Sequence, residues 1–225
     1  MATATEAAID GATLLTLTRW LSPAFPTGAF AWSHGLEAEV AAGRVRDGAG
    51  LSDWLAGVLA HGAGRNDAIL IACAWRAARS GDAAALGELA ELAAALAPGA
   101  ERETEARAQG AAFARTLAAA GEIELAPCPL PVAVGAAAGR AGLPLGPTLL
   151  LHLQNFTANL VTIGVRHIPL GQSEGQAILA ALAPLMESVA DSARKATADD
   201  IGGCAIASDI ASLEHETLPT RIFRS

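Results

Sequence analysis

Apolar positions along this chain recur every three or four residues, the spacing of helices rather than strands. Leu14, Leu17 and Leu21, with Leu15 and Trp20 beside them, predict a helix over 12–21. A short helix is expected over 32–42, stopped by Gly43. Ser52 is a plausible N-cap for a helix running to His61, broken by Gly62 and Gly64. Asn66 or Asp67 then caps 68–80, whose Ile69, Leu70, Ile71 and Trp75 mark it as a core helix. Leu86, Leu89, Leu92 and Leu96 share one side of a helix that ends at Pro98-Gly99. The stretch 101–120 is the most charged helix, with Glu103 and Arg107 one turn apart in the favourable order. The stretch 132–141 is rich in small residues, and Gly135 and Gly139 would let another helix approach closely.

The clearest helix is 147–166. Leu149, Leu153, Phe156, Leu160 and Ile163 form its packing seam. His152, Asn155, Asn159, Thr162 and Arg166 make a second, polar stripe at the same spacing. A solvent face would carry Glu and Lys, so this stripe is expected to be buried. It is either a hydrogen-bonded face, within the fold or at a subunit contact, or the lining of a wet internal path. A helix over 173–186, kinked at Pro184, continues toward Lys195, and 208–216 is the last. No stretch alternates as a strand would, and no repeat is visible. The prediction is an all-α bundle of about ten helices in a single domain over 1–225, with mobile termini at about 1–10 and 218–225.

One stretch, 22–37, breaks the helical pattern. Pro23 and Pro26 remove two backbone donors and fix φ, and Thr27-Gly28 supplies a turn. Phe30, Trp32, Ser33, His34, Gly35 and Glu37 follow at once. A rigid loop carrying aromatics and small polar groups is either a packing anchor or a functional surface.

Composition narrows the classes. Of the 225 residues 52% are hydrophobic and 17% charged, enough to bury a large core. The net charge of −8 argues against a nucleic-acid binder. Cys73, Cys128 and Cys204 are scattered and odd in number, which predicts reduced thiols and a cytoplasmic protein. The first ten residues lack the basic and apolar regions of a signal peptide, and no apolar run has the length of a membrane span.

Catalytic chemistry finds little footing. Lys195, the only lysine, follows Arg194 and precedes Ala196, so this sequence has no P-loop. His34, His61, His152, His167 and His215 form no i, i+4 pair, and there is no CxxC, so no tight intrachain metal site is expected. The segment A-W-S-H-G at 31–35 loosely resembles a nucleophile elbow, with Asp209 and His215 following in hydrolase order. An elbow needs a strand before its serine, and Ser33 follows a Pro/Gly loop in a helical chain. Serine hydrolase using Ser33 is therefore an alternative reading, and a purely structural helical scaffold is another. Glu37, Glu39, Glu101, Glu103 and Glu105 form either a solvated face or a docking patch for a partner's cations.

Four segments taken together resemble the urease accessory protein UreF family. They are S-P-A-F-P-T-G-A-F-A-W-S-H-G-L-E at 22–37, E-T-E-A-R-A-Q-G at 103–110, P-L-G-Q-S-E-G-Q at 169–176 and H-E-T-L-P-T-R-I-F-R-S at 215–225. They occur in the family's order and span nearly the whole chain. The resemblance implies an all-α, dimeric, non-catalytic chaperone. Its partners would be a UreD (UreH) accessory protein, the GTPase UreG and urease apoprotein. It would bind no cofactor tightly, while the assembly handles nickel transiently and couples GTP hydrolysis to its delivery. On that resemblance Phe30, Ser33, His34 and Glu37 are expected in the GTPase docking surface. Arg107 and Gln109 are expected to meet a partner as well. Arg221, Phe223 and Arg224 are expected in a mobile tail that the UreD-type protein orders.

Overall fold

The computed structural model describes residues 9–225, and among these the secondary structure is helical, with no strand. The N-terminal part of the expected mobile segment, residues 1–8, lies outside the described residues. The helices are α1 (Gly11–Trp20), α2 (Leu36–Ala41), α3 (Gly48–His61), α4 (Ala63–Ser80), α5 (Ala83–Ala95) and α6 (Ala100–Ala119). They are followed by α7 (Leu130–Arg140), α8 (Leu145–His167), α9 (Gln172–Ala181), α10 (Ala183–Ala193) and α11 (Ile206–His215). None of the described helices is long and apolar enough to cross a membrane.

The all-α bundle stands, with local corrections. Asp47, not Ser52, caps α3, its carboxylate accepting from the main-chain N–H of Gly50 at 2.9 Å. The glycines of that first turn disguise it. Helix α4 begins at Ala63 rather than after Asn66. The Asn66 side chain is taken up elsewhere, donating to the Gly203 carbonyl at 3.0 Å and accepting from its N–H at 3.2 Å. The helix expected through Pro184 is two helices. They part at Leu182, with Pro184 in the first turn of α10, where its missing N–H costs nothing.

Helix α4 runs through the middle of the bundle, and its Ala68, Leu70, Ile71, Ala72 and Ala74 are buried. Helix α7 lies against it at close range. A Cβ on Gly139 would sit 2.6 Å from the Trp75 carbonyl oxygen, and one on Gly135 would run into that of Ile71. Leu149, Leu153, Leu160 and Ile163 of α8 are buried as their spacing predicts, and meet Leu17, Leu51 and Leu55 in one core cluster. Each such leucine contributes about 1.5–3 kcal/mol relative to remaining in water.

The polar stripe on α8 divides. His152 is buried and Asn155 and Asn159 are half-buried, but Thr162 and Arg166 face solvent. Helix α8 is 23 residues long, and its last turns bury Val161, Ile163 and Gly164, with Gly164 against Leu51 of α3 and Val161 against Gly175 of α9, which leaves Thr162 and Arg166 on the open side. Thr162 there bonds only its own helix, at the Ala158 carbonyl.

Candidate functional site

The 22–37 stretch enters the fold through a tight turn. Gly28 is left-handed at φ 77° and starts a short 3₁₀ turn over Ala29–Ala31. His34 is left-handed too, at φ 60°, a conformation that costs a non-glycine residue about 1–3 kcal/mol. Gly35 follows at φ 81°, where a Cβ would lie 2.9 Å from the Ser212 main-chain nitrogen of α11. Two successive left-handed residues press the start of α2 onto α11.

The tail 218–225 then closes over this turn. Ser33 donates its main-chain N–H to the Ser225 carbonyl oxygen at 2.8 Å and its hydroxyl to the same atom. Arg224 donates its main-chain N–H to the Ala31 carbonyl at 2.9 Å, and the His34 N–H reaches the Ser225 hydroxyl at 3.3 Å. Phe223 is buried, its ring 4.9 Å from that of His167. The tail expected to lie free is thus docked on its own bundle. A short segment with one large apolar side chain finds both a slot for the ring and acceptors for its backbone.

A chain of carboxylates lies beneath the tail. Glu37 accepts the main-chain N–H groups of Ile222 at 2.8 Å and Phe223 at 3.0 Å, and the His215 Nε2 at 3.0 Å. Burial pushes its carboxyl up, but those three donors outweigh it and hold Glu37 below its ordinary value. His215 Nδ1 lies 2.6 Å from Glu101, which also pairs with Arg221. Glu105 accepts from the Ser225 hydroxyl at 2.9 Å, from Gln109 at 3.0 Å, and from Arg102. Burial again pushes the carboxyl up, but the Arg102 guanidinium, His34 and the Ser225 hydroxyl together outweigh it, and Glu105 falls to about 2.

Inward of this chain is a cavity of about 150 Å³, whose lining includes His34, Asp67, Arg102, Glu105, His152 and Asn155. Burial pushes His152 down to about 4, and burial together with nearby Arg102 does the same to His34. Both rings are therefore neutral at pH 7. Burial raises Asp67 to about 7. His34 Nδ1 and Asn155 Oδ1 are buried without a hydrogen-bond partner. The Asn159 side chain ties the loop down instead, donating to the Ala29 carbonyl at 3.1 Å. Among the described residues no three His, Cys, Asp or Glu side chains come together as a metal site.

The expected surface residues therefore fall into two groups. Ser33, His34, Glu37, Gln109 and Phe223 are buried and serve the fold. Phe30, at 70% exposure, is open, as are Arg107, Arg221 and Arg224. The acidic patch dissolves in the same way, because Glu37, Glu39 and Glu105 are buried and hydrogen-bonded. The hydrolase arrangement is not assembled. Ser33 is fully buried against Ser225, and both ring nitrogens of His215 face glutamates. Arg102 and Asp67 were missed as site residues. Asp67 reads as a helix cap, and Arg102 is one charge in a run of charges.

Three of the four distinctive segments, 22–37, 103–110 and 215–225, thus meet in one buried assembly. The fourth, 169–176, makes the turn into α9, just after the His167 that packs on Phe223. The profile of the UreF family matches residues 45–183. A curated relative from Cereibacter sphaeroides strain KD131, named urease accessory protein UreF, is 55% identical over 214 residues, covering 95% of this chain and 99% of the relative. The chain belongs to the UreF family. Proteins of the same name from Jannaschia sp. strain CCS1 and Rhodopseudomonas palustris strain HaA2 are 49% and 46% identical, each over at least 94% of this chain. In this UreF-family chain the segments at both ends, outside the matched profile, are the ones joined by the buried carboxylates.

Proposed function

We propose that this protein is a urease accessory chaperone that bridges a UreD (UreH)-type protein and the GTPase UreG during nickel insertion, coupling GTP hydrolysis to metal delivery. The observation that carries the reading is full-length likeness to proteins named urease accessory protein UreF. It acts as a homodimer, with urease apoprotein as the final client, and has no catalysis of its own. The absence of a P-loop in the sequence fits GTP chemistry in the partner. Nickel is cargo in this reading, not a resident cofactor. The neutral imidazoles of His34 and His152 are in the protonation state that a passing metal ion requires.

The partner-facing residues are those the fold leaves open beside the docked tail. Phe30, Arg107, Arg221 and Arg224 are the candidates, offering an aromatic and cations of the kind that dominate interfaces. The test is affinity capture from cells expressing the whole urease operon, comparing wild type with Phe30→Ala. Capture of the GTPase and the second accessory protein by wild type, weakened at least tenfold in the variant at unchanged melting temperature, is expected. Failure of the wild type to capture any GTPase would leave the scaffold reading.

A further inference from the structure

His215 ends α11 with 0% of its surface exposed. Its Nδ1 faces Glu101 at 2.6 Å and its Nε2 faces Glu37 at 3.0 Å. A neutral imidazole carries one N–H, and an ionised carboxylate only accepts. Both carboxylates are already engaged as acceptors. Glu37 takes Ile222 N–H on Oε1 and Phe223 N–H on Oε2, and Glu101 takes Arg221 on Oε1. With both carboxylates ionised, the ring has to donate from both nitrogens, which is the geometry of an imidazolium. The same two carboxylates grip the tail through Ile222, Phe223 and Arg221.

We propose that the His215 imidazolium is a pH-dependent latch, which holds the 218–225 tail on the bundle and releases it when the ring loses its proton. In the latched state the cationic Arg102, Arg221 and His215 face the anionic Glu37, Glu101 and Glu105. Deprotonation leaves an uncompensated negative charge, and one ring lone pair aimed at a carboxylate oxygen in a site with little water to screen it. Other charges nearby do not relieve this. Arg44 is committed to Glu39 of α2 and Glu214 of α11, and Glu216 accepts the main-chain N–H of Glu101. His34 stays neutral beside Glu105. The tail is the part that can move, and its departure uncovers Phe223, Trp32 and Ser33, all buried while it is docked.

The direction in pH follows. The latch is present while the ring is protonated and is lost as the pH rises through the titration of His215 in the folded protein. Toward acid the tail holds until Glu37 and Glu105 protonate, and both are depressed, Glu105 to about 2. The latch belongs to the isolated chain, so its test needs no partner and stands or falls apart from the chaperone reading. Hydrogen exchange of the Ile222 and Phe223 amides is followed by NMR on the full chain, with the His215 ring protons reporting its charge. After correction for intrinsic exchange, opening should increase about tenfold per pH unit between the titration of His215 with the tail released and its titration with the tail docked, and level off above the latter, the behaviour of one linked proton.

Glu101→Gln separates charge from packing. The side-chain amide it introduces can donate to Nδ1, which lets a neutral ring donate to Glu37 from Nε2. This variant should keep its tail docked in alkali with a flat profile. His215→Gln should exchange faster throughout and lose the step. Constant protection across the His215 titration in the wild type would overturn the latch. So would a Glu101→Gln profile with the wild-type step.

Discussion

At the scale of single residues, the structure turns Glu37 from a surface candidate into an internal anchor. Its carboxylate is 6% exposed and holds two backbone donors of the tail as well as His215. Glu37→Ala therefore takes away one of the two carboxylates on the buried His215 and leaves two main-chain N–H groups without an acceptor. Breaking a buried pair from one side costs about 3–5 kcal/mol. Denaturant unfolding at neutral pH should show a loss of that size with an unchanged slope. A loss below about 1 kcal/mol, the scale of an exposed ion pair, would return Glu37 to the surface. The left-handed His34 points the same way. A residue held at φ 60° persists because its surroundings over-determine it, and here its neighbours on both sides are fixed by the tail and α11.

At the scale of elements, helix positions were legible where apolar spacing was long and regular. Leu149, Leu153, Leu160 and Ile163 placed α8, and Gly135 and Gly139 announced the close α4–α7 contact. Starts were less legible when the capping group was busy elsewhere, as Asn66 is with Gly203, or hidden by glycines, as Asp47 is. The site was half legible. Its segments were picked out by the family resemblance, and 22–37 also by its break in the helical pattern, but the acidic residues on helices read as a solvated face or a docking patch. Nothing local says that Glu37 and Glu101 share the buried His215, or that Glu105 meets Ser225, each more than a hundred positions away. The polar stripe failed at Thr162 and Arg166 because spacing gives a face, not which faces the neighbouring helices cover. The α4–α7 contact yields its own prediction. Gly139→Val puts branched carbon where the Trp75 carbonyl lies 2.6 Å from a Cβ position. The helices must part, at a cost of about 1–3 kcal/mol or more, read as a lower melting temperature. An unchanged melt would mean the two helices separate freely.

At the scale of the whole molecule, the two ends of the described chain are tied through one buried assembly. The opening turn lies beneath, α6 and α11 supply carboxylates and an imidazole, and the tail closes the top. Removing 221–225 therefore does more than trim a tail. It withdraws Phe223 from a buried slot, which by analogy with Phe→Ala changes costs about 3–5 kcal/mol. It also leaves Glu37 without two donors and Glu105 without the Ser225 hydroxyl. For a chain of this size each kcal/mol moves the melting temperature by about 2–4 °C. The truncated protein should melt many degrees lower, whether or not a partner binds there. Arg224→Ala is the contrasting change. Its guanidinium is exposed, 5.7 Å over the Trp32 ring, a contact worth about 0.5–1 kcal/mol. That variant should melt nearly as wild type does, yet bind the second accessory protein more weakly if the docked tail is an interface. Differential scanning calorimetry and affinity capture on the two variants distinguish the roles. Truncation should lower both readouts and Arg224→Ala only the capture. A truncated protein that melts like wild type would mean that the tail lies outside the cooperative fold.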